Sequence, residues 1–330
     1  MEKRWQNYVK KVISQDRTTE KLDLDEVKGY FTGLGFEVVA IEQPWRHVIG
    51  KLRKGRRDYF LKLGCTPEIS QNRTRREKLW LEYVGQYISG KETFIVPHTY
   101  ESGLFRGNLF WFIDDWFEPN FLSVMKPADP KNLERWIPAI AKAAAALLKI
   151  PVPQPGEELY MAMYPNDEHE PKPADRLRAN AHVWAEESGQ DLVDLLVEID
   201  QTAKQIKSGK LPSETAVTHG DFVPWHMIEV DKGRFALTDG DLGSFRTPKY
   251  YDAANFYRSV WVHLGERYSR QFLRHFLGIY QPKSMEEFWI RFRPVLAQRI
   301  IGGFWDHREK PEYRKANQVI LQAFRQNNLV

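Results

Sequence analysis

The stretch THGDFVPWHMIEVDKGRFALTDGDLGSF, residues 218–245, carries two acidic motifs separated by what reads as a β-hairpin. The runs HMIEV (226–230) and RFALT (234–238) are short and β-prone, and Asp231-Lys232-Gly233 between them is a turn sequence. A hairpin brings the residues before its first strand close to those after its second, so Asp221 and Asp239 are expected to meet at one end of it. Two carboxylates in one cleft repel unless a cation or a shared proton lies between them. Mg²⁺ takes one or two carboxylates together with substrate phosphate oxygens, which suits the pair to a metal–nucleotide complex. Alternatively, one carboxylate acts as general base while the other holds the metal.

Before this stretch the chain changes rhythm twice. Residues 1–33 follow helical spacing and stop at Gly33 and Gly35. FEVVAI (36–41), RHVIGKLR (46–53) and RDYFLKL (57–63) read as strands, with KGR (54–56) as a tight turn between the last two. A helix follows at about 71–88, then a strand at 107–114 and a connector near 114–120. LERWIPAIAKAAAALLKI (133–150) is apolar or Ala almost all round, as in a helix buried inside a domain, and Pro151, Pro153 and Pro155 end it. A polar stretch at 154–175 leads to one long amphipathic helix at about 176–207. From Tyr251 to Leu329 the pattern is helical, punctuated at 280–284 and 308–312. The spacing therefore predicts a small sheet domain over 1–113 and a larger helical domain over 114–330 that contains the hairpin.

Composition narrows the function. With 330 residues and 42% apolar side chains the chain can bury a substantial core. A net charge of +4 with short, interrupted basic runs argues against a nucleic-acid footprint. Cys65 is the single cysteine, which rules out an intrachain disulfide and a cysteine zinc site; it reads as a small buried hydrophobe. No apolar run reaches the ~20 residues of a membrane span, and the start lacks an apolar signal segment. The expected setting is cytoplasmic.

Alternation in the strand around Lys62 puts Tyr59, Leu61 and Leu63 on one face and Phe60 with Lys62 on the other. In the next helix the apolar stripe is Trp80, Leu81, Val84 and Ile88; one turn back lies Glu77, whereas Glu82 faces away. Glu77 is therefore the expected partner of Lys62.

With THGDFVPWHM, ALTDGDLGSF and YYDAANF together, the chain resembles the aminoglycoside phosphotransferase and choline kinase superfamily, small-molecule relatives of protein kinases. The resemblance implies an α+β, bilobal protein-kinase-like fold, with a small antiparallel-sheet N-lobe carrying one main helix and a larger, mostly helical C-lobe. It implies transfer of the γ-phosphate of ATP to the hydroxyl of a small-molecule acceptor. Asp221 would be the catalytic base, Asp239 the Mg²⁺ ligand, and Lys62, held by Glu77, the cation on the phosphates. Asp252 would brace the catalytic loop through backbone amides, with His219 also in structural support. Backbone groups at Asp114, Asp115 and Trp116 would meet the adenine.

Two departures matter. Where the family has a glycine-containing loop over the phosphates, this chain has IEQPWRHVIG (41–50), with Pro44 and Trp45, so Arg46 or His47 would have to reach phosphate by side chain. Where the family has a metal-binding asparagine, it has His226. Hard Mg²⁺ prefers oxygen to imidazole nitrogen. Three outcomes follow: catalysis with one Mg²⁺ on Asp239, catalysis with Mn²⁺, or a pseudokinase scaffold with weakened or lost nucleotide binding and a protein partner. The remaining candidates read as ordinary structure. Asp241 makes a structural hydrogen bond, NDEHEP (166–171) with His169 is a solvated loop, Trp261, Trp289 and Trp305 are core, and His263 and His275 are helix residues.

Overall fold

A computed structural model describes residues 2–17, 19–88, 92–123 and 130–330. Helix α1 (Glu2–Arg17) precedes α2 (Leu24–Gly33), whose N-terminus is capped by the Asp23 carboxylate accepting from the Asp25 amide at 2.9 Å. Strands β1 (Glu37–Glu42), β2 (His47–Lys54) and β3 (Arg57–Gly64) follow; a single turn α3 (Pro67–Ile69) passes through a π-turn at 70–74 into α4 (Arg75–Tyr87). Then come β4 (Phe94–Ile95), β5 (Glu101–Phe105) and β6 (Leu109–Asp115). Five of these strands form one antiparallel sheet in the order β1-β2-β3-β6-β5.

The sheet's two faces do different work. Leu61, Leu63, Val48, Leu52 and Trp111 point one way and pack with Val27 and Phe31 of α2 into a closed core that also buries Cys65. Phe60, Lys62, Phe112 and Asp114, cross-strand neighbours on β3 and β6, occupy the other face, toward α4. The turn between β2 and β3 needs Gly55 at φ +64, and the register runs from His47↔Gly64 to Lys54↔Arg57.

The second region is mostly helical: α5 (Pro130–Leu147), α6 (Glu158–Met163), α7 (Pro173–Ser188), α8 (Val193–Lys207), α9 (Tyr251–His263), α10 (Glu266–Tyr280), α11 (Met285–Asp306) and α12 (Pro311–Arg325). Between α8 and α9 lie β7 (Thr215–Thr218), β8 (Met227–Asp231), β9 (Arg234–Leu237) and β10 (Ser244–Pro248). β8 and β9 form the expected hairpin, β4 adds to β9 in parallel, and β7 pairs with β10. The core of this region buries Ile137, Ile140 and Ala141 of α5 with Phe272 and Phe276 of α10, as the all-round apolar pattern of α5 requires. Trp80, Leu81 and Val84 of α4 belong to this core. In this way α4 links the sheet to the helical region. The protein thus has the antiparallel-sheet lobe and helical lobe of a protein-kinase-like fold.

Four expectations need correction. The long helix at 176–207 is two helices, because Gly189 adopts φ +64 and ends α7 in the left-handed conformation. The polar stretch at 154–175 contains α6, and the end of the sheet's last inner strand extends to Asp115, one residue into the expected connector. The 166–171 segment is not simply a solvated loop: Glu170 is buried and accepts from Arg76 at 2.8 Å and Arg246 at 3.3 Å. Among the described residues no helix is long and apolar enough to cross a membrane.

Candidate active site

The loop that carries His219-Gly220-Asp221 leaves β7 at Thr218 and turns sharply at Gly220, where φ is +82 and an added Cβ would run into the Leu242 carbonyl. Only glycine fits there. Asp252, in the first turn of α9, accepts from the His219 amide at 2.7 Å and the Gly220 amide at 2.9 Å, which pins the turn. Burial lifts its carboxyl to about 7, against the pull of those two amides. The His219 ring is fully buried, edge-on to Trp80, with Nε2 2.8 Å from the Thr238 carbonyl. Burial and the nearby His226 lower it to about 4, so it is neutral at pH 7, and Nε2 carries the proton and donates.

The hairpin does bring Asp221 and Asp239 to one place, with His226 between them. Its Nδ1 lies 3.1 Å from the Asp221 backbone carbonyl and 3.6 Å from the Asp221 carboxylate, and its Nε2 lies 3.4 Å from the Asp239 carboxylate. Burial alone would lower His226, but the charges of Asp221 and Asp239 more than offset it and its pKa is raised. Asp221 opens to the cleft with 40% of its side chain accessible. Elsewhere protein surrounds it. That low-dielectric setting and the Asp239 charge raise its carboxyl despite His226, Arg299 and a 3.3 Å hydrogen bond from Asn255. A raised carboxyl facing a cleft is suited to accepting a proton.

Lys62 is 4% exposed and sits between two carboxylates, 2.6 Å from Glu77 and 2.6 Å from Asp239. Burial opposes its charge, yet Asp239 and Glu77 hold it firmly protonated. Asp239 is correspondingly held far below the usual carboxylate range by Lys62 and His226, although burial works the other way. Burial lifts Glu77, the deepest of the three, to about 7. Asp239 takes up a left-handed backbone, φ 59, which costs an ordinary residue about 1 kcal/mol and directs its side chain at the lysine. Behind it, Gly240 and Gly243 lie against Trp80; a Cβ on Gly243 would be 2.6 Å from the indole Cγ.

Arg46 and His47, the side chains of the 41–50 loop expected to reach phosphate, are both engaged within the protein. Arg46 donates to Asp241 at 2.6 Å and stacks on Trp45, whose ring centre is 4.3 Å away. His47 is buried, and burial together with the Lys62 charge lowers it to about 3, so it is neutral. Asp241 is thus an ion-pair partner, more than the hydrogen bond expected. Arg46 and Lys62 contribute to its depression to about 2, against burial and the Asp239 charge.

At the end of β6, Asp114 is 4% exposed, and burial with the neighbouring Glu77 raises its carboxyl well above the ordinary range. Asp115 accepts from the His98 amide at 2.9 Å and from the Tyr100 hydroxyl at 2.6 Å. Trp116 donates to Glu118 at 2.9 Å and lies under the Lys51 ammonium. The strand ladder ends at the Tyr59↔Asp115 pair, leaving the chain beyond it outside the sheet.

Two contributors were not singled out from sequence. Asn255, one turn beyond Asp252 on the same face of α9, bonds Asp221; the helical spacing within YYDAANF contained that signal. Arg299 of α11 donates to Asn255 at 3.0 Å and to the Tyr251 hydroxyl at 3.0 Å, and nothing local in the sequence marks it. As for a metal, no group of three or more His, Cys, Asp or Glu among the described residues is placed to hold one. The donor set fits a single hard cation shared with phosphate oxygens: Asp239 is ionised and 45% accessible from the cleft, and the third group, His226, offers nitrogen.

No family model matches the chain, and no curated protein sequence matches it significantly. Solved structures do match in fold. An aminoglycoside phosphotransferase APH(4)-Ia mutant in ternary complex with ADP and hygromycin B superposes with a TM-score of 0.58 at 15% identity, over 90% of this chain and 97% of that one. An ethanolamine kinase from Plasmodium vivax gives 0.53 at 15% identity, over 89% and 85%. The GDP and kanamycin complex of APH(2")-IIia gives 0.55 at 13% identity, over 91% and 99%.

Proposed function

We propose that this protein is a phosphotransferase that moves the γ-phosphate of ATP to a hydroxyl group of a small molecule. The observation that carries the reading is the placement of Lys62 between Glu77 and Asp239, with Asp221, a carboxylate with a raised pKa, on the other side of His226 from Asp239. The sheet lobe, residues 1–113, and the helical lobe, 114–330, would close on the nucleotide, with the adenine against the chain at 114–116. Lys62 would neutralise phosphate oxygens, and Glu77 fixes where its ammonium sits. Asp221 would orient the acceptor hydroxyl and take its proton as the oxygen attacks phosphorus. Asn255 and Arg299 hold that carboxylate in place. Asp239 would bind Mg²⁺, which supplies charge neutralisation on the phosphates. The nitrogen of His226 disfavours a second magnesium and leaves Mn²⁺ as the better fit there.

The fold neighbours support this reading, since their names describe kinases of small molecules. The pseudokinase reading has one observation in its favour: Arg46 and His226 already engage the carboxylates of the cleft. Phosphate transfer separates the two. With an acceptor that the wild type phosphorylates, Asp221→Ala is expected to abolish transfer while nucleotide affinity stays within about threefold. Equal turnover in wild type and variant would remove Asp221 from the mechanism.

A further inference from the structure

A cavity of about 90 Å³ adjoins the loop that carries Asp221, walled by the segment before and into α4, by α7 and by residues 241–248. Gly220 and Tyr251 form the wall nearest the base. Tyr251 is linked to Asp221 through Arg299 and Asn255, so the cavity and the base share one hydrogen-bonded chain.

Its walls are cationic. Arg73, Arg76 and Arg176 line it, with the amides of Asn72 and Asn180. The single carboxylate among the described lining residues is Asp241, which is held by Arg46 at 2.6 Å. Arg76 bonds Glu170 at 2.8 Å, but Glu170 also serves Arg246 at 3.3 Å, and the Arg76 Nε is buried with no hydrogen-bond partner. Arg176 makes no ion pair among the described residues. Gln298, 2% exposed, also lines it and donates its amide to the Leu177 carbonyl at 3.1 Å. Arg76 and Arg176 thus present planar guanidinium groups to the cavity, and such groups match the geometry of an oxyanion. An amine would meet repulsion in the same place.

We propose that this cavity binds the phosphate or carboxylate group of the acceptor, so that the molecule phosphorylated here is an anionic hydroxyl compound. Arg176 and Arg76 grip the oxyanion, and its hydroxyl extends past Tyr251 to Asp221. The term acceptor rests on the phosphotransferase reading; the anion site does not.

The test is calorimetric titration of the nucleotide-free protein with inorganic phosphate, with malonate and with ethanolamine. Phosphate or malonate is expected to bind, the tighter of the two showing which oxyanion the site takes, and ethanolamine is not. Arg176→Gln should weaken that binding at least tenfold, Arg176→Lys less, and Lys62→Met not at all, which separates this cavity from the nucleotide phosphates' place. Melting curves of each variant confirm folding. Silence with both anions, indifference to Arg176→Gln in a folded variant, or preferential ethanolamine binding overturns the proposal. If Mg-ATP binds and neither anion does, the anionic acceptor fails and the kinase reading stands. If Arg176-dependent anion binding occurs without Mg-ATP binding, the anion site holds and the kinase reading fails.

Discussion

Removing the carboxylate of Glu77 should cost far more than removing that of Glu82, five residues along the same helix. Glu77 is 3% exposed and its partner Lys62 4%, so Glu77→Ala leaves a buried ammonium with one of its two counter-charges gone. Breaking a buried pair by deleting one partner costs about 3–5 kcal/mol. Asp239 still lies 2.6 Å from Lys62, which places the expected loss nearer about 2–3 kcal/mol. Spread over the unfolding entropy of a chain this long, that corresponds to a fall in Tm of about 3–4 °C. Glu82 pairs with Lys78 at 2.6 Å with 42% of its side chain exposed, and Glu82→Ala should cost under about 0.5 kcal/mol, within about 1 °C. The assay is thermal unfolding of both variants at pH 8, above the raised pKa of Glu77, without nucleotide. A second readout is the affinity for Mg-ATP, expected to drop about tenfold in Glu77→Ala and to hold in Glu82→Ala, because a lysine released from Glu77 is no longer fixed toward phosphate. Equal destabilisation in the two variants would refute the buried clamp.

Three further outcomes follow from the same geometry. His226→Asn replaces nitrogen by a hard oxygen next to Asp239 and should lower the Mg²⁺ concentration for half-maximal transfer about tenfold; an unchanged metal dependence would show that His226 does not limit the site. Gly220→Ala forces a Cβ against the Leu242 carbonyl at φ +82 and should destabilise by about 3–5 kcal/mol, read from urea unfolding, whereas a loss below 1 kcal/mol would mean the turn can relax. His263 and His307 are lowered by burial and by Arg258, to about 4 and about 3, and the His307 Nδ1 accepts from Asn317 at 3.2 Å. The unfolded chain therefore takes up protons first, and stability should fall as pH drops from about 6.5 toward 4. His307→Gln should flatten that fall, and an identical pH profile in the variant would contradict it.

What the sequence made legible was local. The hairpin, its two flanking aspartates, and the Lys62 and Glu77 faces all follow from periods of two or about four residues and from one turn, and those features need no distant partner. Gly189 carried a stop signal for α7, but the amphipathic spacing resumes on its far side and hides the break. β4, β7 and β10 are two to five residues long and acquire their strand character from pairing with segments distant in sequence. The same holds for the site. Arg46 reaches Asp241 across 195 residues and Arg299 reaches Asn255 across 44, contacts that only the folded chain creates. The arginine-lined cavity was invisible for that reason, since Arg73 and Arg76 read as charges on a helix face and Arg176 lies on α7.

The central claim is that the cleft around Asp221, Lys62 and Asp239 binds a nucleotide through its phosphates and one metal ion. Its most direct test is a thermal-shift titration with ATP and with GTP, each with Mg²⁺, with Mn²⁺ and with chelator, in wild type and Asp239→Ala. A ligand at 100 times its Kd adds about 2.7 kcal/mol to the folded state, about 4 °C for a chain of this length. The expected result is a rise that needs the metal and disappears in Asp239→Ala. No rise with either nucleotide and either metal, in a well-folded sample, would contradict it and leave the protein as a scaffold built on a kinase-like fold.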